Sequence, residues 1–383
     1  MFNIYKFEIK KILKTKLFIG SFVIFLLALT GIYFLNFEVS RLNDNAQQVA
    51  KSHEGDFTDE KLKQIIDDYM VKFQDERKTG TYKLENNMDV YTWFIFNDFT
   101  KEAGNHDYAS DKKDVYLQMN EAVKNGQTLR VTDIDLKKIS DLNFPKFNKP
   151  LYTSSYYGWY DLYNATSMVI MAIVIFTIIL LAGIFTGDTE KNINQILLTT
   201  KYGRSKLISA KILAGFTITS GIFILANLLT YAIFLYYSSS LGWNTSIQLN
   251  FMLEVFTFPV ELNQFQVYIL LLLLQFTGLL AISAITILLS SLSKASFPVL
   301  AISVGLYLLP LIFDKFNKPF LTKIGNLSPV KNQSVLELLS IQDRVFISNN
   351  FQTNLLFLML IFISVALLSN IFVYQKEKHS YIK

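Results

Sequence analysis

Cysteine is missing from all 383 residues, and the three histidines, His53, His106 and His379, stand far apart in the chain. This excludes a disulfide-stapled secreted domain, a cysteine-ligated zinc or iron–sulfur site and a cysteine nucleophile, and it leaves no basis for a histidine metal cluster. Charge is scarce as well. Charged residues make up 17% of the chain, against about 25% in an ordinary soluble domain. With 51% hydrophobic residues, a disordered chain is excluded too. Three motifs are absent: the G-x-x-x-x-G-K-[ST] loop that cradles nucleotide phosphate, the G-x-S-x-G nucleophile elbow and the H-E-x-x-H metalloprotease helix. The chain therefore carries no recognisable energy source or hydrolase centre of its own.

What the sequence does have is long apolar runs. Residues 17–37 hold no charge between Lys16 and Glu38, and at 1.5 Å per residue they cover roughly 30 Å, one hydrocarbon core. The run is too long for a signal-peptide core and no small-residue cleavage site follows it. Five more spans are expected at 164–187, 212–237, 265–293, 295–313 and 347–375. The fold class expected is an all-α membrane protein with six transmembrane helices. The fourth and fifth helices form a tight hairpin around Lys294.

Orientation follows from the lysines and arginines of the short loops. With both termini inside, the cytoplasmic pieces hold Lys6, Lys10, Lys11, Lys14 and Lys16, then Lys191, Lys201, Arg204, Lys206 and Lys211, then Lys294, then Lys376, Lys378 and Lys383. The outer loop 238–264 has neither Lys nor Arg. The segment 314–346, expected as an outer loop with short helices, dissents: it carries Lys315, Lys318, Lys323, Lys331 and Arg344. The loop 38–163 holds 17 Lys and Arg against 22 Asp and Glu, a net of −5 that leaves +10 on the rest of a chain whose total is +5. The basic excess thus sits on the cytoplasmic rim, where it meets anionic lipid, and nucleic-acid binding has no patch to rest on.

The segment 38–163 is long enough to be a small extracytoplasmic domain, and it reads as mostly helical. Leu62, Ile65, Ile66, Tyr69 and Phe73 recur at helical spacing, as do Val115, Met119, Ala122 and Val123 more weakly. Tyr152, Tyr156, Tyr157, Trp159, Tyr160 and Tyr163 crowd its end and read as an interfacial aromatic belt. No ionisable residue lies in the middle of any span, which argues against a proton-coupled carrier.

Two cytoplasmic segments are organised for contact. In residues 1–16, Phe2, Tyr5, Ile9, Ile12 and Leu13 form one helical stripe and Lys6, Lys10 and Lys14 another, as in an amphipathic helix lying on lipid. Residues 188–211 open with Asp188 and Thr189 as candidate helix caps. An apolar pair, Leu197 and Leu198, follows, then a turn at Tyr202–Gly203, then Arg204, Lys206 and Lys211.

These residues resemble the ABC-2 type permeases, the membrane half of bacterial ATP-driven exporters. The acidic, apolar and basic sequence Glu190, Leu197, Leu198, Thr199, Arg204 and Lys211 is similar to that family's first cytoplasmic loop. The N-terminal pattern from Glu8 to Lys16 is similar to its start, and Pro310 stands near the end of the fifth span. The large first outer loop departs from the many members in which that loop is short. The resemblance implies a transport subunit with no catalytic or cofactor-binding residue of its own. A separate cytoplasmic ABC ATPase dimer would supply ATP and Mg, and a second permease copy or a homologous permease would complete the pathway. Residues 188–211 would then be the coupling helix, with Glu190, Leu197, Leu198, Thr199, Arg204, Lys206 and Lys211 meeting the ATPase. Tyr5, Glu8, Ile9, Ile12 and Lys16 of the interfacial helix would move with it.

The substrate implied is amphipathic, peptide or antimicrobial-like. The 31 Lys against 5 Arg are the bias of an AT-rich genome and, with the resemblance, place the chain in a bacterial plasma membrane. The competing readings are a membrane sensor or immunity protein whose outer domain binds a peptide, and a membrane-embedded acyl or glycosyl transferase. The second would require an essential Asp, Glu or His at the interface.

Overall fold

The computed structural model describes residues 2–38, 49–81, 90–101, 114–191, 206–238, 241–345 and 347–379. The chain divides into two compact units. One comprises residues 1–36, 163–233 and 268–383, and the other 37–162 and 234–267.

The first unit is built from helices α1 (Phe2–Leu13), α2 (Lys16–Tyr33) and most of α6 (Tyr157–Glu190) and α7 (Lys206–Ser238). Helices α8 (Gln264–Leu292), α9 (Ser296–Leu308) and α13 (Phe351–His379) complete its long elements. Among the described residues, six helices are long and apolar enough to cross a membrane. Burial ranks them. Of the most apolar 18 residues, 67% are buried in α6 and 61% in α8, but only 17% in α2, 17% in the helix that begins with α9 and 22% in α13. Helices α6 and α8 are therefore the centre of the bundle, α7 is intermediate at 39%, and the remaining three present most of their apolar surface to the surroundings.

Close approach of α6, α7 and α8 depends on Gly215. A Cβ there would lie 3.0 Å from Ile287 of α8 and 3.2 Å from Leu181 of α6, tighter than an ordinary van der Waals contact. Helix α2 joins this core by stacking Phe25 on Phe176, with ring centroids 4.7 Å apart, and by a Tyr33–Thr230 hydroxyl pair at 3.1 Å.

The second unit holds α3 (Asp59–Thr79), α4 (Val90–Phe99), α5 (Val115–Lys124) and a pair of two-residue antiparallel strands, β1 (Gly55–Asp56) and β2 (Tyr152–Thr153). Helix α3 begins where the Thr58 side chain accepts a hydrogen bond from the Lys61 N–H, and it ends at Gly80 in the left-handed conformation (φ 68°). It buries Leu62, Ile65, Ile66 and Phe73, and α5 buries Val115 and Met119, as their spacing predicts; Met70 is buried as well, while Tyr69, Ala122 and Val123 are half-buried. This core is completed by Leu249 and Phe251. The segment expected as a separate loop at 238–264 is thus part of the same unit as 38–163. Backbone bonds fix it there: Ser246 N donates to the Tyr152 carbonyl at 2.9 Å, and Gly242, at φ 77°, is packed so that a Cβ would run into the carbonyl of Ser155.

The aromatic belt expected at 152–163 is corrected by burial for three of its six rings, Tyr152, Tyr157 and Tyr160 being half-buried. Tyr156, Trp159 and Tyr163 are all at most 1% exposed. Trp159 stands edge-on to Phe234 with centroids 5.0 Å apart and donates its indole N–H to the Leu241 carbonyl at 2.9 Å. Trp159 is thus a core residue with its polar group paired, and ring density alone does not separate such a core from an interface.

Burial pushes the Asp98 carboxyl, near the end of α4, up to about 6; Lys137 opposes the shift and Glu254 adds to it. The folded state then holds a proton that the unfolded chain has released, so stability falls as pH rises from about 4 through about 6. Asp98→Asn is expected to remove that part of the slope and raise the unfolding midpoint at pH 7. A pH series of thermal unfolding checks this; an unchanged slope would disprove it.

Candidate functional site: a buried ion cluster at the α1 end

Helix α1 buries a narrow face. Glu8 is 3% exposed and Ile12 8%, with Tyr5 and Ile9 half-buried, while Phe2, Phe7 and Leu13 stay exposed. The lipid-facing stripe expected from Phe2 to Leu13 is therefore corrected: Ile12 faces protein, and the Tyr5 hydroxyl donates to the Thr217 hydroxyl of α7 at 2.8 Å. The packed face is the one that also carries Glu8, since residues 5, 8 and 12 repeat at helical spacing. Lys16 is exposed, at the first position of α2, beside the Thr15 cap.

Against Glu8 stands the last turn of α6. Helical structure in α6 continues through Glu190, so Asp188 and Thr189 are not the caps of a following helix. Asp188, 2% exposed, accepts from two lysines at once: Lys11 Nζ to Oδ1 and Lys211 Nζ to Oδ2, both at 2.5 Å. Lys11 lies 3.7 Å from the Glu8 carboxylate, and the Lys211 ammonium sits 4.7 Å from the centre of the Phe185 ring. Lys211 is 3% exposed and belongs to α7 rather than to a loop.

Two acids and two bases thus neutralise each other where α1, α6 and α7 meet. Neither an isolated carboxylate nor an isolated ammonium is tolerable at that burial, but the four together are. Burial pushes the Glu8 carboxyl up, while Lys11 and Lys211 pull it back down.

The adjoining turn of α6 engages the hairpin between α8 and α9. Glu190 accepts from the Ser296 N–H at 2.6 Å and from its hydroxyl at 3.0 Å, so a carboxylate from α6 caps the N-terminus of α9. Thr186 pairs with the Ser296 hydroxyl at 2.8 Å. Ser290 of α8 donates to the Ala182 carbonyl at 2.8 Å and accepts from the Phe185 N–H at 3.0 Å. Lys376 of α13 donates to the Ser291 carbonyl at the C-terminal end of α8.

Of the residues singled out for coupling, Glu190 and Lys211 belong to these contacts, and Lys206 is exposed at the first position of α7. Leu197, Leu198, Thr199 and Arg204 lie outside the described residues. Asp188 and Lys11 were missed as site residues.

A bundle with six span-length helices and a charged knot at one end is the frame of a transport subunit, and one comparison decides among such frames. The family model described as ABC-2 family transporter protein matches residues 2–367. The chain belongs to the ABC-2 transporter family. No curated protein and no solved structure is similar enough to match it. As an ABC-2 permease it is a multi-pass membrane component of an ABC transporter, of a kind not catalytic itself, and the match spans both units. The readings as a sensor or immunity protein and as a membrane transferase have no comparable support.

Proposed function

We propose that this permease is the membrane half of an exporter driven by a separate cytoplasmic ATPase dimer, which binds the ATP and Mg. Both termini face the cytoplasm, the unit of 37–162 and 234–267 faces outward, and the host membrane is a bacterial plasma membrane. A second permease, identical or homologous, completes the pathway for an amphipathic, peptide or antimicrobial-like substrate.

The observation that carries this reading is Asp188 held between Lys11 and Lys211. It stands just before the residues 190–206 that would meet the ATPase, and it ties α1, α6 and α7 into one body. Glu190 extends the tie to α9. A push on this segment therefore reaches four helices at once. ATP binding biases a two-state rearrangement only through contacts that differ between the states, and these are the contacts available to differ.

The test is purification of the tagged protein in mild detergent, with identification of what co-elutes. A stoichiometric P-loop ATPase is expected. Leu198→Asp is expected to lower its recovery at least about tenfold, which corresponds to about 1.4 kcal/mol of binding. Glu190→Ala, whose carboxylate is engaged with Ser296, is expected to keep the ATPase but lose transport. A clean preparation with no ATPase would overturn the reading.

A further inference from the structure

At the opposite end of the bundle from α1, helix α9 passes directly into a 3-10 helix, Leu309–Phe316, followed by α10 (Pro319–Asn326), the 3-10 turn Pro329–Asn332, α11 (Val335–Leu339) and α12 (Ile341–Arg344). This is the segment whose five cations break the charge asymmetry of the loops.

Lys331 and Arg344 are held by internal bonds. Lys331 is buried against the Asp314 carboxylate, and Arg344 donates to the carbonyls of Lys331 and Glu337 and to the Asn332 amide oxygen. Behind them, Gln333 donates to the Tyr307 hydroxyl at 2.5 Å and accepts from the Gln275 amide at 2.7 Å, which anchors the segment to α9 and α8. Asn317, in the left-handed conformation (φ 49°), reverses the chain, and Gly325 of α10 packs against Pro310 and Phe313. The hairpin of the 3-10 helix and α10 is thus a fixed element, held on its inner side by these polar bonds.

Its outer face is of the other kind. Phe316 is 54% exposed, Phe320 71% and Ile324 44%, and Lys315, Lys318 and Lys323 are exposed among them. A rigid element has no reason to hold two phenylalanine rings outward in water. Aromatic and aliphatic side chains interleaved with lysines are the composition of a surface lying in a bilayer interface. Its position agrees. The 13 residues of α9 supply about 20 Å of a hydrocarbon core of about 30 Å. At about 2.0 Å per residue, roughly five more residues of 3-10 helix complete the crossing, and that point falls at Asp314 and Lys315. The first charges after α9 stand where the hydrocarbon ends. Asp314 is engaged by Lys331, so the hairpin's outer face is net cationic.

We propose that this hairpin is an anionic-lipid site: Phe316, Phe320 and Ile324 enter the acyl boundary while Lys315, Lys318 and Lys323 bind phospholipid headgroup phosphates. The inference rests on the chain being a multi-pass membrane protein and not on its ATPase partner.

The test uses the full chain in vesicles of mixed phosphatidylcholine and phosphatidylglycerol. Because the chain has no cysteine, Phe320→Cys carries a nitroxide at a single place. Its relaxation is expected to respond to oxygen and hardly at all to a water-soluble nickel chelate. A label reached readily by the nickel chelate would overturn the proposal, as would a label reached by neither reagent, which would mean that a second copy or another protein covers the face.

For the headgroups, the triple variant Lys315→Gln, Lys318→Gln, Lys323→Gln is purified from the same mixed bilayer, and the lipid retained per protein is measured by mass spectrometry. Each lysine near an anionic surface contributes about fivefold in partition. The variant is therefore expected to lose at least about fivefold of its phosphatidylglycerol enrichment while its thermal midpoint stays near that of the parent. Equal enrichment would overturn the headgroup assignment.

Discussion

Asp188→Ala is expected to destabilise the protein by about 3–5 kcal/mol and to abolish permease-stimulated ATP turnover. The stability loss follows from what remains. Lys211, 3% exposed, would lose the carboxylate paired with it and keep only the more distant pull of Glu8, and removing one partner of a buried pair costs far more than removing both. Lys11, whose side chain is 33% exposed, still has Glu8 beside it and a route to solvent. A double variant separates structure from coupling. Asp188→Leu with Lys211→Met exchanges the buried pair for apolar volume and is expected to recover most of the thermal midpoint, as such replacements often do. If the cluster transmits the ATPase stroke, the double variant stays inactive, because α1 is no longer tied to α6 through Lys11 and Asp188. Full turnover in the refolded double variant would reduce the cluster to packing. The measurements are the unfolding midpoint by size-exclusion chromatography and ATP turnover of the reconstituted complex.

The spans were legible because charge-free runs of about twenty residues or more leave little choice in lipid. The site was half legible. Glu190 and Lys211 came from the resemblance, but Asp188 looked like a helix cap because a short polar acid after an apolar run is ambiguous between the last turn of one helix and the start of the next. Glu8 did carry a signal. Tyr5, Glu8 and Ile12 share one face of α1, and an acid on the packed stripe of a lysine-rich helix asks for a buried cation. Reading every lysine as a headgroup ligand hid that cation, Lys11. The contribution of Leu249 and Phe251 to a core more than a hundred residues earlier in the chain was not legible at all. Their local pattern is apolar and irregular, and contacts of that sequence separation leave no period to count. The reverse happened at 314–346. There the sequence registered a conflict with the charge rule, and the structure assigns two of the five cations, Lys331 and Arg344, to internal bonds.

Arg344→Lys is the second large effect, expected to cost about 2–4 kcal/mol despite conserving the charge. The guanidinium makes three bonds in different directions: Nη1 to the Lys331 carbonyl at 2.9 Å, and Nη2 to Asn332 Oδ1 at 2.8 Å and to the Glu337 carbonyl at 2.7 Å. A lysine ammonium is a compact point donor on a different reach and cannot span that set. Each buried acceptor left unpaired costs about 1–3 kcal/mol. Burial already pulls the guanidinium below its ordinary range, with Glu337 and Asp314 opposing the shift. The arginine is thus held by its bonds rather than by favourable solvation. Loss of those bonds frees the Pro329–Asn332 turn, and with it Gln333, whose side-chain amide donates to Tyr307 of α9 and whose carbonyl accepts from Gln275 of α8. The damage is expected to be local in place but large in effect. Hydrogen exchange is expected to rise across 326–344 in Arg344→Lys while residues 5–13 and 206–219 keep their protection. Uniform exchange across the whole first unit would mean instead that this end of the bundle does not unfold as a unit of its own.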